Sequence, residues 1–330
     1  MDFLSADSLP WLGPAQQRLR DSMQAQRLPH STLLLSVPGL GAEQLAKWMA
    51  ALALCESPGA RPCGFCASCS LLRSDSHPDY HVVRLEEDAK QIKVDQVREL
   101  IGSLLLKSYR GGYKVGVIEG AEALNANGAN AFLKTLEEPS ADTMLVMIAR
   151  PTHRLPATIA SRCLRLTLRP PPKAEGVAWL ENHAAPGQNW DAALALAGGA
   201  PLLAMELHAA GLAALEREMQ EDVRAIAAGS VDVTVVADAW VRSNLSLRLL
   251  WLENWITRRV RSASGAAISA QSAERVRLPA ALLKPKIKAL FELLDSSRDL
   301  RRLGSTGLNQ QLALESLLLD GRAALANPGV

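Results

Sequence analysis

The chain has 330 residues, 48% of them hydrophobic and 21% charged, with a formal net charge of +2. That length suits two or three domains of about 150 residues each, and so small a charge does not by itself mark a nucleic-acid binder. No apolar run approaches the roughly 20 residues of a membrane span. The opening Met1-Asp2-Phe3-Leu4 lacks the basic and apolar pattern of a signal peptide, so a cytoplasmic protein without membrane contact is expected.

A polar helical stretch follows Trp11 and Leu12 up to Gln26, and Leu33-Leu34-Leu35 then predicts a buried strand. The loop Ser36-Val37-Pro38-Gly39-Leu40-Gly41-Ala42-Glu43 leads into a helical pattern through Lys47 and Trp48. Strand, glycine loop and helix form the setting of a phosphate-cradling loop. Such a loop places a lysine after its last glycine, to reach the phosphates, and then a serine or threonine to hold magnesium. Here Ala42 and Glu43 stand at those positions. The cation is lost and an anion gained, a repulsion of about 4 kcal/mol per unit charge pair at close range near a protein surface. The alternative is a short glycine loop that never bound phosphate.

Cys55, Cys63, Cys66 and Cys69 follow with C-x7-C-x2-C-x2-C spacing, among Pro58, Gly59, Pro62 and Gly64. Four converging thiolates make a closed tetrahedral zinc site, which staples a loop too short to have its own core. A cytoplasmic setting disfavours disulfides. An iron–sulfur cluster is the alternative, although the spacing departs from ferredoxin-like runs. His77 reads as a loop residue, since four cysteines already fill the shell. Next come an extended segment from His81 to Leu85, an amphipathic helix from Gln91 to Leu106, and a turn at Gly111-Gly112.

The stretch from Lys114 to Cys163 carries the clearest strand–helix–strand rhythm. Val115 to Ile118 predicts a buried strand ending on Glu119. Asn125 caps a helix that carries Ala129, Phe132, Leu133 and Leu136 and stops before Pro139. Thr143 to Ala149 predicts the next strand, a short helix-like stretch begins at Leu155, and Leu164 to Leu168 is a third strand after Ser161-Arg162-Cys163. This alternation implies a parallel sheet with ligands at the carboxyl ends of its strands, where Glu119 lies. An active nucleotidase would hold magnesium with an aspartate at position 119 and activate water with a glutamate at 120, which is Gly120 here. Ala149 offers a γ-phosphate no polar group. Together with Ala42 and Glu43, these substitutions read as a decayed ATPase. Arg162, taken alone, reads as a surface arginine at a helix end, and Cys163 as a small residue beside it.

Pro170-Pro171-Pro172 ends the first domain. Short helices carry Val177, Trp179 and Leu180, then Ala192 to Ala197, and another begins at Leu202 after Gly198-Gly199-Ala200-Pro201. From Leu212 the pattern is helical throughout. Trp240, Leu247, Leu250, Trp251, Trp255 and Ile256 are expected on a buried face, Ser262 to Ser272 in a loop, and Leu308 to Leu319 in a last amphipathic helix. Arg258, Arg259 and Arg261, with Lys284, Lys286 and Lys288, read as solvated faces.

Pro38-Gly39-Leu40-Gly41, the cysteine module, His77-Pro78-Asp79, the run Asn130-Ala131-Phe132-Leu133-Lys134-Thr135-Leu136-Glu137-Glu138-Pro139 and Ser161-Arg162-Cys163 resemble the clamp-loader branch of the AAA+ proteins. The resemblance covers about the first half of the chain and is looser beyond it. It implies an α/β fold in three parts: a P-loop-type parallel-sheet domain over 1–170 with the zinc module at about 55–79, a small helical lid over 171–211, and an all-helical collar over 212–330. Ala42 and Glu43 depart from the lysine and threonine of the gamma/tau ATPases of the bacterial DNA polymerase III clamp loader. The resemblance therefore implies a stator that binds no ATP and holds only structural Zn2+. Arg162, with Ser161 and Cys163, would be its arginine finger, completing the ATP site of a neighbouring subunit. The implied partners are gamma/tau and delta subunits, with the sliding clamp and primer-template DNA reached through the complex during replication. Two other functions compete: an active gamma/tau-type ATPase, and a zinc-bearing DNA-binding module.

Overall fold

The computed structural model of the chain describes residues 8–86, 89, 91–151, 155–184, 188–264, 285–303 and 309–325. The chain divides into two compact units: Met1–Gln188 with Ala197–Ala204, and Asn189–Leu196 with Met205–Val330.

The first unit is built on five strands: β1 (Ser31–Leu35), β2 (Tyr80–Val83), β3 (Lys114–Glu119), β4 (Thr143–Ala149) and β5 (Leu164–Thr167). All pair in parallel, in the order β2-β3-β4-β1-β5. β3 and β4 are apolar and buried almost end to end, as strands covered on both faces must be. The chain leaves β1 for the far edge strand β2, so the order reverses beside β1. Ligand crevices of open parallel sheets lie outside the carboxyl ends at that point.

The helices α1 (Gly13–Gln24), α2 (Ala42–Leu54), α3 (Ala67–Arg73), α4 (Val94–Leu105), α5 (Ala126–Glu137) and α6 (Ala157–Ala160) of this unit cover the sheet or lead up to it. α7 (Lys173–His183) follows the triple proline. Leu33, Ile118, Leu145 and Met147 share one cluster with Val97 and Leu100 of α4, Phe132 and Leu136 of α5 and Ile159 of α6. Gly116 lets α4 come close, because a Cβ there would lie 3.0 Å from Leu104 and 3.1 Å from Leu100. Asn125 caps α5 as expected, its side chain accepting the N–H of Gly128 at 2.7 Å.

Several element ends differ from the sequence expectation. α4 starts at Val94 rather than Gln91: Lys93 is extended, its N–H donates to Gln96 Oε1 at 3.0 Å, and Ile92 bridges to Leu124. Tyr80–Val83 pairs with β3, but the extended stretch expected to Leu85 does not continue the ladder. Leu168 lies beyond β5, although its N–H still donates to Leu35 at 2.9 Å.

The second unit holds α8 (Trp190–Leu196), α10 (Leu212–Ala228), α11 (Val233–Arg242), α12 (Leu245–Ser264), α13 (Pro285–Leu303) and α14 (Gln310–Leu325); α9 (Pro201–Ala209) contributes its second half. Trp240, Trp251 and Ile256 are buried as expected, whereas Leu247, Leu250 and Trp255 are half-buried. The buried stripe of α12 runs instead through Arg248, Leu249, Leu252 and Glu253. The two charges are matched: Arg248 reaches Glu218 at 2.8 Å, and Arg301 binds Glu253 with two bonds of 2.7 and 3.0 Å. Polar residues on an inward stripe hid it from a reading of apolar spacing. α12 also continues through Ser264, where a loop from Ser262 is expected, and the rest of that loop lies outside the described residues. So do Lys284 and Leu308. Arg258 is exposed, Arg259 lies 3.9 Å over the Trp255 ring, and Lys288 reaches Glu292 at 3.5 Å. No single described helix is long and apolar enough to cross a membrane.

Candidate functional site

The loop Ser36 to Gly41 joins β1 to α2 at the strand-order reversal, where a phosphate loop belongs. Gly39 and Gly41 have φ of +80° and +85°, the left-handed region that glycine adopts without strain. The surroundings of the loop are closed. Gly39 accepts the N–H of Leu202 at 3.1 Å, and a Cβ on Gly39 would sit 2.5 Å from the Leu203 nitrogen. Trp11 donates its indole N–H to Leu40 at 2.9 Å, and Leu40 is fully buried. Ala42 is buried at the first turn of α2, with Glu43 beside it. The cavity left between Ser36, Glu43, Gly120, Glu122 and Ala149 measures about 150 Å³. Small-molecule sites commonly span about 300–1,000 Å³.

The two acids near the strand ends are each matched by an arginine. Glu119 is gripped by Arg84, which follows β2, through bonds of 2.7 and 3.1 Å, and that carboxylate raises the Arg84 pKa. Glu122 accepts the backbone N–H of Arg150 at 3.3 Å and faces its guanidinium at 3.4 Å. Glu119 is thus engaged in an ion pair between neighbouring strands.

Arg162 lies between α6 and β5. Its Nη1 donates to Thr158 O at 2.9 Å, a carbonyl left over at the end of the four-residue α6, and reaches Ser161 Oγ at 3.4 Å. Its Nη2 pairs with Glu137, the last residue of α5, at 2.6 Å. The side chain is 37% exposed. Cys163 turns inward, donating its thiol to Ile159 O at 3.3 Å, and burial pushes its pKa up to about 11. Arg162 and the glycine loop each stand at a strand end of this unit, Arg162 before β5 and the loop after β1, and no contact joins them among the described residues.

Cys55, Cys63, Cys66 and Cys69 do converge, with all four sulfurs within 4.8 Å of one another. Cys55 and Cys66 sulfurs are 3.9 Å apart, close to the roughly 3.8 Å edge of a tetrahedron with 2.3 Å zinc–sulfur bonds. Backbone N–H groups of Cys63, Cys66 and Cys69 donate to the sulfurs of Cys55, Cys63 and Cys66 at 3.3–3.4 Å. Such bonds orient thiolates toward a cation. Burial pushes the Cys55 and Cys69 thiols up, whereas Cys63 is brought down to about 6 because, although burial opposes ionisation, N–H groups of Phe65 and Cys66 favour it. A divalent cation would resolve that conflict, so the donor set fits a closed four-sulfur metal site.

His77 is not a fifth donor. Its Nδ1 accepts the N–H of Asp79 at 3.1 Å, and its Nε2 lies 3.1 Å from Ser68 Oγ. Asp79 in turn takes the N–H groups of Tyr109 and Arg110 and the hydroxyl of Ser108 at 2.7–3.2 Å. Glu56 completes the frame, accepting from Ser68 at 2.9 Å and Arg110 at 2.7 Å.

Comparison with known proteins places this arrangement in a family. The sequence model described as "DNA polymerase III, delta subunit" matches residues 13–172. The "DNA polymerase III subunit delta'" of Pseudomonas aeruginosa is 35% identical over 334 residues, spanning 98% of this chain and 100% of that protein. The chain belongs to the delta' family of DNA polymerase III subunits. The delta' subunit of Escherichia coli K12 is 33% identical over 316 residues, 94% of each chain. A solved gamma subunit-related protein of DNA polymerase III from Thermotoga maritima is 17% identical, spans 97% of this chain and 100% of its own, and has a TM-score of 0.46.

Three contacts in this delta' chain escape sequence reasoning: Arg84 on Glu119, Leu203 against Gly39, and Glu137 on Arg162. Leu203 is far from Gly39 in sequence and carries no motif of its own. Glu137 lies in the run Asn130 to Pro139 that helped to carry the resemblance, so it was visible as a motif residue, although its partner was not.

Proposed function

We propose that this delta' chain serves in the DNA polymerase III clamp loader as a stator that neither binds nor hydrolyses ATP, and that Arg162 acts in trans as an arginine finger. The observation that carries this reading is the state of the phosphate loop. Its cation is replaced by Ala42 and Glu43, Gly39 is packed against Leu203, and the remaining cavity is about 150 Å³. A P-loop fold with its own pocket closed can still act on a neighbour through an exposed arginine. A guanidinium supplied in trans stabilises charge on the transferring phosphoryl group, and elsewhere is worth about 10³–10⁵ in rate. In this reading the partners are gamma/tau and delta subunits, the clamp and primed DNA are met through the assembled complex, and the chain works in the cytoplasm. In the same reading the chain comprises a sheet domain over 1–170, a lid over 171–211 and a collar over 212–330. Zn2+ held by Cys55, Cys63, Cys66 and Cys69 has a structural role, since four sulfurs leave no open position for substrate.

The test is reconstitution with the ATPase subunits. Arg162→Ala should leave fold and assembly intact and lower DNA-stimulated ATP turnover at least about tenfold. Unchanged turnover in a fully assembled complex would remove the finger role.

A further inference from the structure

We propose that Glu137 is a positioning residue for the Arg162 finger, holding the guanidinium in the orientation in which it meets a neighbour's phosphoryl group. This rests on the reading of Arg162 given above and extends it to a residue for which no role has yet been given.

A guanidinium carries five N–H groups. Nη1 is directed at Thr158 O, 2.9 Å away, and at Ser161 Oγ, 3.4 Å away. Nη2 is fixed by Glu137 at 2.6 Å. Nε–H and the second hydrogen of Nη2 have no partner among the described residues. The head is therefore held along one edge and free along another. An unrestrained arginine is a flexible chain with several rotatable bonds, and in most rotamers its free edge would not face an incoming phosphate. Two anchors on separate helix ends, Thr158 on α6 and Glu137 on α5, remove much of that freedom before the neighbour arrives.

Glu137 is itself well placed for this task. It ends α5, whose Phe132 and Leu136 are buried in the cluster under the sheet, so its backbone is fixed by the core. Pro139 stops the helix two residues later, which keeps the carboxylate at the rim. Its neighbour Glu138 is exposed, and its carboxylate has no partner among the described residues. That contrast supplies an internal control: the two side chains carry the same charge one residue apart, and one of them touches Arg162.

The experiment uses the assembled clamp loader with this chain as wild type, Glu137→Gln, Glu138→Gln, Arg162→Ala and the Glu137→Gln/Arg162→Ala double variant, with kcat and KM for ATP measured separately. Glu137→Gln should lower kcat about tenfold, the low end of what loss of an orienting partner costs elsewhere, while KM stays within about twofold because the finger acts on the transition state. Glu138→Gln should match wild type, and Glu137→Gln should add little to Arg162→Ala. Wild-type kcat in Glu137→Gln alongside a slow Arg162→Ala overturns the positioning role and leaves the finger standing. A raised kcat overturns it too, since Glu137 would then be a competitor for the guanidinium. If Arg162→Ala turns over normally, both readings fall. Should Glu137→Gln not assemble, Glu137→Asp, which keeps the charge but draws the carboxylate back by one methylene, takes its place; full activity there overturns the proposal.

Discussion

Nδ1 of His77 accepts the backbone N–H of Asp79, so the ring proton sits on Nε2 and points at Ser68, whose hydroxyl continues to Glu56. Protonating Nδ1 would break the first of these bonds, and burial holds the His77 pKa below its ordinary value. His81, on β2, is shifted the same way by burial. A histidine with a depressed folded pKa favours the native state fully above its unfolded value, near 6.5, and that contribution is lost as pH falls through the folded value. Each such group can steepen the decline by at most about 1.4 kcal/mol per pH unit. Denaturant unfolding of the metal-loaded protein between pH 7.5 and 5.5 should therefore show falling stability in wild type and a shallower fall in His77→Asn. Equal slopes would show that His77 does not titrate with folding. At the same scale, Lys114 is buried yet satisfied: its Nζ donates to Leu104 O at 2.6 Å and Leu106 O at 2.9 Å, carbonyls at the carboxyl end of α4. A buried cation thus finishes a helix whose sequence has no glycine stop at that point.

At the scale of elements, the segment from Cys55 to Asp79 behaves as a clip rather than a small domain. α3 is only seven residues long, and its buried side chains are Ser68, Cys69 and Leu72. So little apolar surface cannot hold a loop with two prolines and two glycines. A metal held by the four sulfurs would supply the missing constraint, and Glu56, Asp79 and Arg110 tie the clip to the turn before β3. Stripping the metal with a chelator should lower Tm by at least about 5 °C and open the 55–69 segment to protease, with re-addition of Zn2+ restoring both. Unchanged Tm and cleavage after verified metal loss would mean that hydrogen bonds alone keep the clip closed.

At the scale of the whole molecule, the glycine loop after β1 is closed by residues that local reading cannot connect. Restoring its chemistry with Ala42→Lys and Glu43→Thr should leave ATP binding weaker than a Kd of about 1 mM, roughly 4 kcal/mol on the standard scale, because Leu202 and Leu203 still lie against Gly39. Titration calorimetry giving a micromolar Kd would show that the two side chains, not the packing, exclude nucleotide. The sheet and its helices were legible in the sequence because the signals are local: apolar runs at β3 and β4, the Asn125 cap, and glycines at most of the described positions where φ turns positive. The cysteine cluster was legible because closely spaced ligands with few intervening residues have few ways to converge. What sequence alone determined was most of the elements, the absence of a lysine after the last glycine of the loop and the identity of the chemical groups. What tertiary structure decided was who meets whom: Arg84 neutralising Glu119, Leu203 filling the space over Gly39, Glu137 bracing Arg162, and Arg248 and Glu253 turned inward on α12. Periodicity reports which face of an element is apolar. Pairing of charges across distant segments depends on where the core brings two backbones together, and no local spacing records that.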